Sequence, residues 1–450
     1  MNSLSRRKFL EIGSISTAVL FARKLLPKNR QVSFVEALWA GAIRPNSARV
    51  NAKIDHDSAI MRLLVSPNLD LSAPTTSAFY TADSANNRMV GLPITGLMPD
   101  TRYYYGIESG GLVDDMNQGT FKTPAIGAQS FSFAFAACAE TGSTHPVFDT
   151  IRSLNPLFFL HMGDMHYENI AVNECDLFRT AFDTVLNSST QAALYRQIPI
   201  AYMWDDHDFG DNDSDSASPS REAARLTYQE YVPHYPLPAG SADVPIYQSF
   251  AIGRIYFILT DLRSERSPKT AVDNANKTMM GSLQKAWFKN ELLAANDQYA
   301  AIIWLSTVPW IGAADPGSDY WASYTTERQE LANFIKDNDI SGVVMVSGDA
   351  HMIALDDGRN SDYATGGGAA FPVMHAAALD RPGGLRGGPY SHGTFVGPGQ
   401  FGFMTITDTG GDTVSFTLSG RDVNNNTLVE YSFTRPCCLN QIYLPMIRSH

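Results

Sequence analysis

Residues 156–167 read Pro156-Leu157-Phe158-Phe159-Leu160-His161-Met162-Gly163-Asp164-Met165-His166-Tyr167. A short apolar run is stopped by a glycine, and an acid and a phenol follow at once. Such a run reads as a strand buried on both faces, the condition of strands covered by crossover helices. The same pattern recurs along the chain. Phe131 to Ala137 precedes Cys138, and Ile198 to Trp204 precedes Asp205-Asp206-His207. Arg254 to Thr260 precedes Asp261, and Gly342 to Ser347 precedes Gly348-Asp349. Between them lie Arg221 to Tyr231, Ser282 to Ala294 and Thr326 to Lys336, with apolar residues near helical spacing. Alternating strands and helices predict an α/β fold with β-sheets flanked by helices. Ligands of such folds bind beyond the carboxyl ends of the strands. Five polar groups at five strand ends therefore predict one convergent site.

Upstream the texture differs. From Phe34 to Pro124 short β-runs, such as Ala48 to Ile54 and Ala59 to Val65, alternate with turn residues. That spacing predicts a β-sandwich. Ile94 to Tyr105 resembles the turn and strand of fibronectin type III domains. At the other end, Phe401 to Phe433 alternates like an antiparallel hairpin, and the Gly-rich stretch Gly366 to Gly399 is expected to border the site. The 450 residues thus divide into a leader (1–33), a fibronectin III-like β-sandwich (34–124) and an α/β catalytic domain (130–436).

The leader carries Ser5-Arg6-Arg7-Lys8-Phe9-Leu10 and a mildly apolar run from Ile12 to Ala22, too short to span a bilayer. Paired arginines before such a run predict export by the twin-arginine machinery to the periplasm or beyond the cell. No other segment reads as a stable membrane span. The net charge is −12 and no basic run follows the leader, which argues against nucleic acid as a specific partner. Cys138, Cys175, Cys437 and Cys438 are too few for a disulfide framework. Cys175 and the terminal pair are expected to carry no chemistry.

The candidate site comprises Cys138, Asp164, Tyr167, Asp206, His207, Asp349 and His351. One carboxylate at a strand end is often a helix cap. Three of them converging with a thiol and a phenol would repel one another unless a cation neutralised them. Asp164, Asp206 and Asp349 offer hard oxygens suited to calcium, manganese or magnesium. Cys138, Tyr167 and His351 offer more strongly donating atoms, suited to a transition metal such as ferric iron. A two-part site with one bridging carboxylate would clamp the attacking and leaving oxygens of a phosphoryl displacement.

The motifs then point to a family. Gly163-Asp164-Met165-His166-Tyr167 resembles the GDxxY element of purple acid phosphatase-like enzymes. Trp204-Asp205-Asp206-His207-Asp208 resembles the DDH(D/E) element of the alkaline phosphatase D family, and Ser347-Gly348-Asp349-Ala350-His351 is similar to its SGDxH. Cys138 stands where the calcineurin-like metallophosphoesterase superfamily has its first aspartate, and Leu259 to Arg263 is a looser match to LDxR. The resemblance implies an exported hydrolase of phosphate mono- or diesters. Ferric iron (Fe3+) would sit on Cys138, Asp164, Tyr167 and His351, with Asp164 shared. Calcium (Ca2+), or manganese or magnesium in its place, would sit on Asp206 and Asp349, with Asn212 as a further ligand. Hydroxide held on the metals would attack phosphorus, with His207 as general acid. Asp205 is expected to be an outer acceptor and Asp208 to orient its neighbours. Arg263 and His392 are expected near the substrate. Two other readings share the fold: a diesterase acting on phospholipid or teichoic acid with little monoesterase activity, and a non-catalytic binding protein.

Overall fold

The structure, a computed structural model, describes residues 32–437. The expected signal at Arg6-Arg7 and the residue Cys438 lie outside the described residues. Two large sheets pack face to face. The first has nine strands in the order Thr427–Pro436, Thr413–Asp422, Gln400–Thr407, Phe131–Ala136, Phe159–His161, Ile200–Tyr202, Val35–Arg44, Ser47–Ile54 and Met89–Thr95. The second has seven, in the order Gln248–Ile252, Ile255–Leu259, Ala301–Ser306, Val343–Ser347, Val373–Ala376, Met352–Asp356 and Thr394–Val396.

Aromatic side chains fill the space between the sheets. Phe133 stacks on Phe158 with ring centroids 4.9 Å apart, and both meet the edge of Phe257 on the facing sheet at 5.4 Å. Burying each such ring contributes about 1.5–3 kcal/mol. Helices cover the outer faces. Phe182, on the helix Cys175–Leu186, packs against Trp39 of the first sheet. Phe288, on Gly281–Asn296, packs at 4.5 Å against Trp304 of the second. The layering is therefore helix, sheet, sheet, helix, a mixed α/β arrangement.

The strands from residues 35 to 122 divide between two sheets. Ile60–Ser66, Arg102–Ser109 and shorter partners form a separate six-stranded sheet. Val35–Arg44, Ser47–Ile54 and Met89–Thr95 instead extend the nine-stranded sheet, through a parallel pairing of Gly41 with Ile200. Glycine is required at 41, since a Cβ there would lie 2.3 Å from the Pro233 carbonyl oxygen and 2.6 Å from that of Ile200. Alternation cannot reveal this, because a strand looks the same whichever partner completes its sheet. The expected C-terminal hairpin is a three-stranded meander, with Met404, Leu418 and Tyr431 in register. Among the described residues no helix is long and apolar enough to cross a membrane.

Candidate active site

The carboxyl ends of the parallel strands turn sharply, and the turns carry the chemistry. Cys138, Asp164 and Asp349 take left-handed backbone conformations, with φ of 64°, 54° and 65°. Such conformations cost side-chain-bearing residues about 1–3 kcal/mol each and collect at functional sites. The turns brace one another. The Cys138 N–H donates to the Gly163 carbonyl at 3.1 Å, and the Ala139 N–H to that of Asp164 at 2.8 Å. Gly163 has φ of 106°, and a Cβ there would lie 2.4 Å from that of Asp205. The next strand end could not approach any other residue so closely.

Four expected residues meet in one half of the site. The Tyr167 hydroxyl donates to Asp164 Oδ2 at 2.8 Å and lies 3.0 Å from His351 Nε2. Cys138 Sγ sits 3.4 Å from the same Asp164 oxygen. Ligand atoms of Cys138, Asp164 and His351 all fall within 4.8 Å of one another, as do those of Asp164, Asp206 and His207 and those of Asp205, Asp206 and Asp349. Asp164 therefore belongs to two such groups, and Asp206, which also groups with Asp213 and Asp319, to three. His351 is aimed by its other nitrogen, 2.7 Å from the Pro382 carbonyl. The His207 ring packs against that of Tyr167 at 4.1 Å, and its Nδ1 bonds Asn169 Oδ1. Asp208 lies in the fold beneath, accepting from the N–H groups of Met165, His166 and Asp205, and so orients two turns at once.

On protein charges alone this cage resists ionisation. Burial, then Asp206, Asp205 and Asp208, hold Asp164 well above the usual carboxylate range. Burial pushes Asp349 up despite Arg386, and moves Asp205 to about 6 and Asp208 to about 7. Burial and the Asp164 charge raise Cys138 and Tyr167. Asp206 is the exception: burial opposes its charge, but Arg263 and His207 more than offset that and lower it. Burial lowers both His207 and His351. Asp164 Oδ1, Asp205 Oδ2 and Asp206 Oδ1 are buried without a hydrogen-bond partner. Leaving such an acceptor unsatisfied costs about 1–3 kcal/mol, more if charged. Metal ions would satisfy these oxygens and remove the repulsion, so the residues present fit metal binding.

Other expected residues fall elsewhere. Arg263 is fully buried and cannot reach a substrate. Its Nε donates to Asp205 at 2.6 Å, and its Nη2 is ion-paired with Asp319 at 2.8 Å, with Asp206 3.7 Å away. It is the internal counter-ion of the acidic set. Asp205, which also accepts from the Thr307 hydroxyl at 2.9 Å, links this pair to the cage. Asp261 does not converge: it takes the Trp204 indole N–H at 2.9 Å and the Ile246 N–H at 3.0 Å, and is satisfied inside the core. Asn212 is exposed; its neighbour Asp213, with φ of 61°, donates its N–H to Asp206 at 2.7 Å. His392 lies 3.5 Å from Asp357 and against Tyr431, two residues that line a different groove from the cage. His161 and His166 pack among Phe159, Tyr202, Phe178 and Phe182, where burial drives both to about 3.

Sequence reasoning missed Asp319, Asn169, Arg381 and Arg386. Asp319 follows no strand, yet it groups with Asp206 and Asp213 and is held by both Arg263 and Arg266. Asn169 could have been sought, as it lies just beyond Tyr167 on the same turn. Arg381 stacks over the Tyr167 ring at 4.0 Å, and Arg386 bonds Asp349 at 3.1 Å. Both come from the Gly-rich segment, whose stretch from Leu379 to Arg386 does border the site.

A family model described as PhoD-like phosphatase matches residues 133–373, more than half of the chain, from the Cys138 strand to the strand beyond His351. The chain belongs to the PhoD-like phosphatase family. Alkaline phosphatase D of Bacillus subtilis (strain 168) is 27% identical to this PhoD-like protein over 305 residues, 57% of this chain and 52% of that protein. Purple acid phosphatase 23 of Arabidopsis thaliana is 22% identical over 292 residues, 59% of this chain and 58% of its own. The chain spans about half the length of the curated relatives it matches. A solved structure of PhoD superposes with a TM-score of 0.70 at 16% identity, covering 90% of this chain and 93% of that one. That likeness extends the shared fold to the N-terminal strands.

Proposed function

We propose that this chain is a metal-dependent phosphoesterase that hydrolyses phosphate mono- or diesters. The observation that carries the proposal is the set of unsatisfied buried oxygens on Asp164, Asp205 and Asp206, with Asp206 grouped with each of the other two and, on the Asp164 side, with a half-buried histidine, His207. Cys138, Asp164, Tyr167 and His351 would hold ferric iron, and Asp206 and Asp349 with the shared Asp164 would hold calcium. The ions would neutralise the phosphoryl group and make a bound water acidic. Around them, Asp208 and Arg263 keep the acids in place. Asn169, accepting from the Nδ1–H of His207, leaves Nε2 as the nitrogen from which the imidazolium form would give its proton to the departing alkoxide.

The test is hydrolysis of a chromogenic phosphodiester and monoester, with metal analysis of the purified protein. Activity should vanish on mild chelation and return with calcium, because carboxylate oxygens favour that ion. Phenolate and thiolate donation to ferric iron should colour the protein, and Tyr167→Phe should shift or bleach the band. A colourless, iron-free protein that is fully active, or one restored only by zinc, would overturn the assignment of the ions. Inactivity on both esters with both metals bound would overturn the function.

The proposal also places the protein outside the cytoplasm, exported through the twin-arginine machinery. Arg6-Arg7 and the apolar run to Ala22 support it. With both arginines changed to lysine, active protein should remain in the cytoplasm; unimpaired export of that variant would rule the route out. We read residues 34–124 as the fibronectin III-like unit and 130–436 as the catalytic one, on the strand spacing and on the six-stranded sheet found only in the former.

A further inference from the structure

We propose that Arg386 grips the phosphoryl group of the substrate, and that Asp349 holds it in reserve until a cation takes that carboxylate. The inference rests on the phosphoesterase reading and adds to it a substrate-binding residue. Near the cage five cationic side chains compete for the role. Arg263 and Arg266 are fully buried and committed to Asp205 and Asp319. Lys269 pairs with Asp213, and Arg381 pairs with Glu140 while stacked on Tyr167. Arg386 differs from all four. Its side chain is 42% exposed, and its guanidinium bonds both oxygens of Asp349, at 3.1 and 3.4 Å. Asp349 is itself one of the acids grouped with Asp205 and Asp206 as a candidate ion site. A divalent ion bound there displaces the guanidinium from its only hydrogen-bonded partner among the described residues.

The displaced group has somewhere to go. Arg386 lines a cleft of about 360 Å³ with Asp213, Lys269, Asp319 and Tyr320, beside the acidic set. Its backbone is pinned on either side, by the Gly384 N–H on the His351 carbonyl at 3.1 Å and the Gly388 N–H on that of Ile311 at 3.0 Å. Gly387 permits the second anchor, for a Cβ there would lie 2.1 Å from the Ile311 oxygen. The loop therefore stays while the long side chain pivots. A planar guanidinium matches two phosphoryl oxygens at once, which an ammonium cannot. In a chain of net charge −12, approach of an anion needs such a local cation.

The test uses inorganic phosphate as probe, titrated calorimetrically into the full protein with and without calcium, for wild type, Arg386→Gln and Arg386→Lys. Wild type should bind phosphate more tightly with calcium present. Arg386→Gln should weaken the calcium-dependent binding by about tenfold or more, with lysine in between. Calcium alone should bind Arg386→Gln at least as tightly as wild type, because no guanidinium has to be displaced. The proposal is overturned if phosphate binding changes less than twofold in Arg386→Gln, or if wild type binds phosphate equally without calcium. Calcium binding lost in step with phosphate would overturn it too, making Arg386 a support of the loop. Ester turnover by wild type is measured alongside. Its absence would sink the phosphoesterase reading, whereas an active wild type with an indifferent Arg386→Gln sinks only the clamp.

Discussion

Asp164→Asn should lower turnover by about a thousandfold or more and leave the purified protein depleted of metal. Asp164 is the carboxylate common to both halves of the cage. One oxygen takes the Tyr167 hydroxyl at 2.8 Å with Cys138 Sγ nearby, and the other is buried without a partner. The amide has the same shape, so the turn at residues 163–164 should survive. What disappears is one negative charge and one strong donor oxygen, in a place where burial already works against charge. The metal-free variant should therefore melt no lower than metal-free wild type, and above it if relieved repulsion dominates. That thermal readout separates a lost ligand from a damaged fold. Full metal content with activity within tenfold of wild type would show that Asp164 is not shared between two ions.

The second large effect belongs to His207. His207→Ala should slow hydrolysis by about a hundredfold on esters of poorly acidic alcohols. Esters of nitrophenol need no proton to depart and should suffer far less. The geometry motivates this split: the ring is held from one side by Asn169 and faced by Tyr167, and it makes no hydrogen bond to Cys138, Asp164, Tyr167 or His351. Metal content should be unchanged. Equal losses on both classes of ester would remove His207 from the proton-donor role and make it a binding residue.

Much of this was legible in the sequence because strands write plainly. A buried strand must be apolar along its length, so the first residue that is not apolar marks its end. That rule leads to Cys138 and to the turns that carry Asp164, Asp206 and Asp349. Asp261 obeys the same rule and misled, because its partners, Trp204 and Ile246, come from segments whose proximity no local pattern encodes. Arg263 misled for a related reason. Arginine beside acids suggests an anion gripped at a surface, and only the packing shows it at zero exposure among Asp205, Asp206 and Asp319. Asp319 and Arg386 sit in loops without periodicity, where position depends on tertiary contacts. The shared sheet was hidden too, since the Gly41–Ile200 pairing joins strands of two expected domains that lie far apart in the chain.

That pairing, with its counterpart at the other edge, sets the order in which the chain can fold. Phe131 to Ala136 finds the strand Phe159–His161 soon after synthesis, but its other neighbour runs antiparallel from residue 400, with Phe131 opposite Ile406. The strand Val35–Arg44 likewise waits for a parallel partner, Ile200–Tyr202, made long after it. Sheets closed by partners this remote have high contact order, which slows folding and leaves strand edges bare in the interim. Nascent chain carrying residues 35–202 can assemble six of the nine strands, from Phe131–Ala136 to the edge at Met89–Thr95, and leaves Phe131–Ala136 bare on its other side. The other three strands, which close the edge beside Phe133 and Phe135, come only with residues 400–436.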